Sequence, residues 1–596
     1  MAAVSGGQAT LANSTVTTYG DTDAAALYVQ DGGAISVSGS TVQALGAEGQ
    51  AISSKAGAGQ TNQVNVSGSR LMANGTAIEV NDAGHTEIQI SGSEILTNSG
   101  TLYANADGLG TSSLDASASR LQGDMRISDG HVADVSLSNG SLWEGAGSGV
   151  NQVTLSASQW TMTGSSTIAS LDNSGVVSFA PGGFKSLEVS GDLTGNGLFE
   201  MNTNLAASQG DMVTVGGNAT GSHQVLVRDT NTGGTAPGQH LEIIRTEGGD
   251  AQFSLANRGQ VVDSGAYRYN LQTSDTVGGR GSDWSLVNTG KLSTAASAAV
   301  NTGGAGTAQS IWYAEMSTLT QRMGELRSGH DAGGPWVRGF GQQQSIDNGG
   351  GREFSQHIGG MEFGADTRVN VSSGRWHLGA LAGYSRANRD FADEGKGNTD
   401  SYHVGAYATF IADSGWYLDA VAKVNRMRHD IKVESTDGSA VKADYHNNSL
   451  GLSLEGGRRI PLDNDWFVEP QVQAAWFGVG QANYRMSNDL HVQADSGNSV
   501  LLRASSLIGK RFSLANGAEI QPYVKIGWIQ ELDGKNVVRT NEVATHTDMS
   551  GGRAQIGIGA IGALGKSHHL YADYEYQKGS GYESPWAVNI GYRYTW

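Results

Sequence analysis

"EIQPYVKIGWIQ", residues 519–530, sorts its side chains by parity. In an extended chain Ile520, Pro522, Val524, Ile526 and Trp528 fall on one side, and Glu519, Gln521, Tyr523, Lys525 and Gly527 on the other. "DWFVEPQVQAAW" (465–476) and "GWYLDAVAKVN" (415–425) repeat the arrangement, with charged residues mid-strand and Trp416, Trp466 and Trp476 at strand ends. A soluble sandwich also wets one face, but it has no reason to collect tryptophan at strand ends. A bilayer interface does, so the apolar row reads as facing lipid and the polar row as facing a lumen.

Outward from this stretch the same grammar runs from about residue 334 to the end. About twelve strands are expected, beginning near 335, 356, 375, 400, 415, 444, 465, 498, 518, 552, 568 and 586. Their connections alternate: "VSSGR", "ADSG", "PLDND", "LANGA" and "LGKS" are tight, whereas "DNGGGRE", "DFADEGKGN", "VESTDGSA", the stretch around 484–497 and "LDGKNVVRTNEVATHTD" are long. Short turns belong at the periplasmic end of a transmembrane barrel and long loops outside. The chain closes on "VNIGYRYTW", whose Val588, Ile590, Tyr592, Tyr594 and Trp596 carry the lipid-facing row to the last residue. A barrel of this size admits one helix or one extended chain.

Residues 1–195 follow another rule. "ISVSGS" (35–40), "VNVSGS" (64–69), "IQISGS" (88–93), "LDASAS" (114–119) and "VTLSAS" (153–158) each place two apolar residues two apart before a small corner. Repeats at this spacing are rungs that bury an apolar side only by stacking, which implies a right-handed parallel β-helix. From 196 to 290 the strands lengthen ("HQVLVRD", "QHLEIIRTEG", "AYRYNLQ"), as expected of a cap over the open end of the stack. In 291–333, Trp312, Met316, Leu319, Met323 and Leu326 recur at spacings of three and four, predicting a helix over 306–327 that Gly329 terminates.

Composition agrees with an all-β chain: 87 glycines, 7 prolines and 16% charged residues in 596. Without cysteine there is no disulfide framework or thiolate metal site, and a net charge of -19 leaves no basic footprint for nucleic acid. No run of about 18 apolar residues predicts a transmembrane helix, a test that barrels escape. Met1 is followed by "AAVSGGQAT", which is no secretory signal, so an exported chain is expected here in mature or truncated form. Neither GDSGG, G-x-S-x-G nor H-E-x-x-H occurs, and no metal or cofactor site is expected. His85, His131, His223 and His240 are scattered and read as surface residues, while His568 and His569 point to opposite pleats.

The motifs "FSLANRGQVVDSGAYRYNL" (253–271), "AAVNTGG" (298–304), "WYAE" (312–315), "GELR" (324–327), "DAGGPWVRGF" (331–340), "FIADSGWYLDA" (410–420) and "YADYEYQKG" near the end resemble the pertactin-like autotransporters of Bordetella. The resemblance covers roughly 196–596; the N-terminal rungs match only in style. It implies a surface-exposed passenger over 1–290, with 196–290 as its autochaperone region, a pore helix, and an outer-membrane translocator barrel over 334–596. It implies type V secretion of an adhesin or virulence factor, anchored in outer-membrane lipid. Periplasmic chaperones, the barrel assembly machinery and an unknown host or serum ligand are the implied partners, with Val588 to Trp596 as the β-signal. A hydrolytic or proteolytically released passenger is the competing expectation. Several relatives are severed within the barrel at an Asn in "WYAESNAL"-type sequence, where its side-chain amide attacks its own carbonyl. Here the stretch reads "WYAEMSTL", so the matching Ser317–Thr318 bond lacks the cyclising amide and no self-cleavage is expected. Asn301 is the other candidate scissile residue. Among lumen candidates, Glu362 and Asp366 are expected as structural partners of Arg322 or Arg327.

Overall fold

The computed structural model describes all residues except 23, 82, 106–108, 231–232, 276–280, 304, 325, 327–332, 351–352, 392–394, 515–516, 566 and 596. Arg327, Gly329 and Trp596, all singled out above, lie outside the described residues. The chain divides into two compact units, the second running essentially from Leu292 to Trp596.

The first unit is a parallel β-solenoid. Thr61–Ser67 pairs in register with Ala34–Ser38 on one side and His85–Ser91 on the other, so that Val64 lies between Ile35 and Ile88 and Val66 between Val37 and Ile90. The two apolar positions of each repeat thus form continuous columns, fully buried. Each such side chain contributes about 1.5–3 kcal/mol of burial that an isolated rung could not collect. The last serine of the repeat does a different job. The Oγ of Ser69 accepts from the N–H of Ser40 (3.0 Å), Ser93 from Ser69 (3.0 Å), Ser119 from Ser93 (3.1 Å) and Ser141 from Ser119 (3.0 Å). Each hydroxyl also donates back to a carbonyl of its own rung, as Ser69 does to Ser67 at 2.7 Å. The corner just before these serines is left-handed, at Gly39, Gly68, Gly92 and Ala118, which explains why only small residues occupy it. The parallel ladder continues past residue 196 to Gln252–Leu255, and its end is covered by an antiparallel pair, His240–Gly249 with Ser282–Leu292.

The second unit is a closed antiparallel barrel. Its twelve strands are Gly333–Ile346, Phe354–Val371, Gly374–Asp390, Gly395–Ala412, Trp416–Glu434, Ala440–Arg458, Trp466–Val479, Gly497–Lys510, Glu519–Asp533, Gly551–Leu564, His568–Gly579 and Tyr582–Tyr594. The last strand pairs with the first, Trp336 opposite Arg593 and Ile346 opposite Tyr582. Parity is as expected: Ile526 is 52% exposed on the outside and Lys525 3% exposed within. Trp376, Trp416, Trp466 and Tyr594 ring the end with the tight turns, and Tyr384, Tyr402, Trp476 and Trp528 ring the other. From Trp466 to Trp476, at ~3.4 Å per residue and a tilt of about 45°, the strand rises about 24 Å, the height of an outer-membrane apolar band.

Three features differ from the sequence reading. The outer connection between the eleventh and twelfth strands is short, residues 580–581. Two long outer connections are not plain loops: Ala482–Arg485, His491–Ala494, Lys535–Thr540 and Val543–Asp548 form their own four-stranded sheet, joined across the two connections by His491–Ala494 with Lys535–Thr540. The helix expected over 306–327 is two, α2 (Ala305–Glu315) and α3 (Leu319–Met323), and a further helix, α1 (Thr294–Gly303), precedes them.

Candidate functional site

The site is the barrel lumen and the helices that fill it. Trp312 of α2 packs on Phe477, ring centroids 5.5 Å apart, and lies over Gly451, where an added Cβ would sit 2.0 Å from the indole nitrogen. On its polar side α2 is held by Glu531, which accepts from Gln309 (2.9 Å) and the Tyr313 hydroxyl (2.6 Å), and by Gln356, which donates to Ser310 at 2.7 Å. At the C-terminus of α2 the Arg338 guanidinium donates to the carbonyls of Ala314 (3.3 Å) and Glu315 (3.1 Å). A cation there satisfies carbonyls the helix leaves open and complements its dipole.

Glu315 meets four side chains of the barrel wall. It accepts from Ser385 (2.7 Å), Lys423 (3.0 Å) and Asn425 (2.6 Å), and lies 3.3 Å from His403 Nδ1. His403 Nε2 in turn is 3.1 Å from Glu362, which pairs with Arg338 at 2.8 Å. The helix breaks immediately after, at Met316–Thr318, and restarts where Thr318 caps α3 and its N–H donates to Gln321 at 3.2 Å. Gln321 also donates to Asp573 and Glu575, each at 3.0 Å, and the N–H of Leu319 donates to Glu455 at 3.3 Å.

The candidate residues are therefore distributed along one lumen. Ser317 and Thr318 are the buried break itself, and the Ser317 carbonyl accepts from Gln473 at 3.4 Å. Glu362 and Asp366 are both buried, and among the described residues their partners do not include Arg322, while Arg327 lies outside the described residues. Glu362 pairs with Arg338, and Asp366 with Arg593 through two bonds of 2.7 and 2.8 Å. Arg322 instead pairs with Asp419 at 2.6 Å and lies 4.5 Å above the Tyr407 ring. Register supplies the described pairs: Arg338 of the first strand stands directly opposite Glu362, and Arg593 reaches Asp366 from the twelfth strand across the first. Asn301 is buried in α1 and accepts from Asn348 at 3.4 Å. Val588, Ile590 and Tyr594 are exposed on the outside of the last strand, with Tyr592 half-buried beside them.

Sequence reasoning missed the glycines that seat lumenal aromatics. Rings of Trp336, Tyr407, Tyr417, Phe467, Tyr523 and Tyr571 each cover a glycine of the adjacent strand, closely enough that a Cβ at Gly364, Gly379, Gly457, Gly509, Gly559 or Gly591 would lie 2.0–2.6 Å from the ring. Two histidines also differ from the surface placement expected of them: His131 and His223 are buried in the solenoid. His131 Nε2 is 3.0 Å from Ser112 Oγ, a hydroxyl–imidazole pair in which both residues are buried and the Tyr103 hydroxyl sits 2.6 Å from the same oxygen.

A closed twelve-strand barrel with an apolar outer band and a helix-filled lumen, on one chain with a parallel solenoid, defines the class of outer-membrane β-barrels that carry a solenoid. Comparison with known proteins agrees. Residues 335–575 match the autotransporter beta-domain family and residues 150–288 the pertactin family. The chain is 42% identical over 510 residues to the pertactin autotransporter of Bordetella bronchiseptica, covering 78% of this chain and 55% of that one. It is 40% identical over 469 residues to the BrkA autotransporter of Bordetella pertussis, covering 77% and 46%. The crystal structure of the beta domain of the Bordetella autotransporter BrkA aligns over 45% of this chain and all of that one, at 39% identity and a TM-score of 0.40. The chain belongs to the pertactin-like autotransporters, and its barrel is an outer-membrane barrel. It spans about half the length of the curated relatives it matches.

Proposed function

We propose that the barrel carries its own N-terminal solenoid across the outer membrane and retains it at the cell surface as an adhesin or host-interaction factor, without self-cleavage. The observation that carries this reading is the lumen: the chain just before the first strand occupies the barrel as α1, α2 and α3, bonded to its wall from Gln309 to Arg322. On this reading residues 1–195 are the exposed solenoid, 196–290 its folding cap, 291–333 the linker and pore helices, and 334–596 the translocator. The outward row of Val588, Ile590, Tyr592 and Tyr594, with Trp596, is the signal read by the barrel assembly machinery, after escort by periplasmic chaperones.

Retention rests on chemistry at the helix break. Cleavage by side-chain cyclisation needs a carboxamide nucleophile, and Ser317 offers a hydroxyl in its place. The surrounding charges then serve to anchor the helix. Outer-membrane preparations are expected to contain the solenoid and the barrel joined in one species, with the solenoid removable from intact cells by added protease; these 596 residues alone account for 62.0 kDa. A native fragment of about half that mass, ending near Ser317 or Asn301, would overturn retention. Hydrolase turnover abolished by a single serine or histidine substitution in the solenoid would overturn the adhesin reading.

A further inference from the structure

The outer wall of the barrel is not uniform just above its apolar band. The third to sixth strands are 17, 18, 19 and 19 residues long and run on past the band towards the long connections. There the register sets Tyr384, Tyr402 and Arg426 in one row across the third, fourth and fifth strands, and Arg386, Asp400 and Arg428 in the next, at ~4.8 Å per strand. All three arginines are exposed. Asp400 is already occupied, accepting from the Tyr384 hydroxyl at 2.5 Å with Arg386 at 3.8 Å. Among the described residues Arg426 and Arg428 have no carboxylate partner, and they stand two apart on one strand with their charges on the same side. Three guanidiniums against one carboxylate make this band basic, in a chain whose net charge is -19. The next row out is acidic, with Asp430 opposite Asp444, and the row beyond it is basic again, with Lys432 opposite Lys442. Around the rest of the barrel the corresponding outward positions hold Gln343, His357, Asn498 and Gln530, and a Lys578–Glu583 pair.

Directly below Arg426 the wall is grooved. A cavity of about 880 Å³ opens outward, with Val404, Val424, Leu450 and Trp476 in its apolar part and Tyr402, Arg426 and Asn448 at its polar rim. An oily groove under paired guanidiniums matches an acyl chain below a phosphate, since arginine binds phosphate through two parallel bonds and acyl chains fill apolar clefts.

We propose that Arg386, Arg426 and Arg428, with the groove below them, form a docking site for a phosphate-bearing glycolipid of the outer leaflet. The site fixes the barrel's height and rotation in the membrane. It rests on the membrane-spanning reading of the barrel, which heat-modifiable gel mobility of the unaltered chain tests separately; failure of that mobility would remove both.

The test uses the full chain in neutral detergent micelles and a bisphosphorylated, acylated glucosamine disaccharide as probe. Binding is expected to weaken at least ~10-fold in Arg426→Gln/Arg428→Gln, and to lose its salt dependence. Lys432→Gln/Lys442→Gln, which removes the same charge two rows further out, beyond the Asp430–Asp444 row, is expected to change affinity less than ~2-fold. The dephosphorylated disaccharide lipid should bind the unaltered chain as weakly as the bisphosphorylated lipid binds the arginine variant, a comparison that needs no substitution. Equal binding of phosphorylated and dephosphorylated lipid, equal losses in the two variants, equal affinity for phosphatidylglycerol, or full displacement by millimolar inorganic phosphate would each overturn the proposal.

Discussion

The solenoid and the barrel are written in the same period and turned inside out with respect to each other. Thr61–Ser67 and Glu519–Asp533 both alternate, yet Val64 and Val66 face a packed core while Val524 and Ile526 face outward. In the solenoid the outward row is amide, hydroxyl and charge; in the barrel those groups are inside, as Gln521, Lys525 and Glu531. Alternation alone therefore specifies a two-faced strand and says nothing about which face meets solvent. Length and partners decide it. The first four quoted repeats lie in strands of 5 to 7 residues and the fifth in the 16-residue Gly147–Met162, all pairing in parallel with neighbouring rungs, whereas the barrel strands must cross a bilayer, run 12 to 19 residues and pair antiparallel.

The largest effect should come from breaking a charge pair inside the barrel, because both of its members are buried away from water. Asp366 and Arg593 join the second strand to the twelfth across the first, where the barrel closes, and both are buried. Asp366→Ala removes both bonds that Asp366 makes to the buried Arg593 guanidinium, and breaking a buried ion pair typically costs about 3–5 kcal/mol. The urea midpoint of the heat-modifiable form should fall accordingly. Replacement without a measurable fall would mean that this interior is as forgiving as bulk water, and the contrast with the solenoid core would lose its meaning.

Next comes the outward face, where one substitution made in both units gives opposite results. Val524→Arg puts a guanidinium at mid-height on the lipid side and should cost about 2–4 kcal/mol. Gln89→Arg puts it on the outside of the solenoid, between Asn65 and Asp115, and should stay within about 0.5 kcal/mol. Equal costs, read from folded yield in vesicles and from protease resistance of the solenoid, would contradict a lipid-facing assignment.

Much of this was legible beforehand because membranes and stacked rungs both force regularity. All twelve strands and the tight turns follow from parity and glycine, and the apolar columns of the solenoid from "VNVSGS" and its copies. The helix break was not, since Trp312, Met316, Leu319, Met323 and Leu326 keep helical spacing across it. The signal lay in "TLTQ" (318–321), the Thr-x-x-Gln of a capping box, which marks a second helix start. The outer four-stranded sheet escaped because its central pairing joins segments more than forty residues apart, although Asn541 at positive φ between two alternating runs marks one of its hairpins. Ion-pair partners escaped for a related reason: which arginine meets Glu362 depends on strand register and barrel closure, and neither is local.

The smallest effect concerns how each unit treats an ionisable group in its interior. The lumen pairs charges, whereas the solenoid core keeps His223 neutral between Phe199 and Phe253, 5.7 and 5.2 Å away. Burial pushes its pKa below the usual imidazole value, and the one bond it makes, to the Thr220 carbonyl at 3.0 Å, only partly offsets this. The depressed pKa fixes the sign. The unfolded chain takes up a proton near pH 6.5 and the folded one only lower, so this contribution to stability is complete above about pH 6.5 and is lost as pH falls towards the folded value. Hydrogen exchange at Val225 and Val227 in the full chain, corrected for intrinsic rates, should show easier opening at pH 5 than at pH 7. His223→Phe should flatten that difference while the barrel amides of Glu519–Asp533 are unaffected. A pH response that survives the substitution would place the titrating group elsewhere and leave the two interiors less different than their packing suggests.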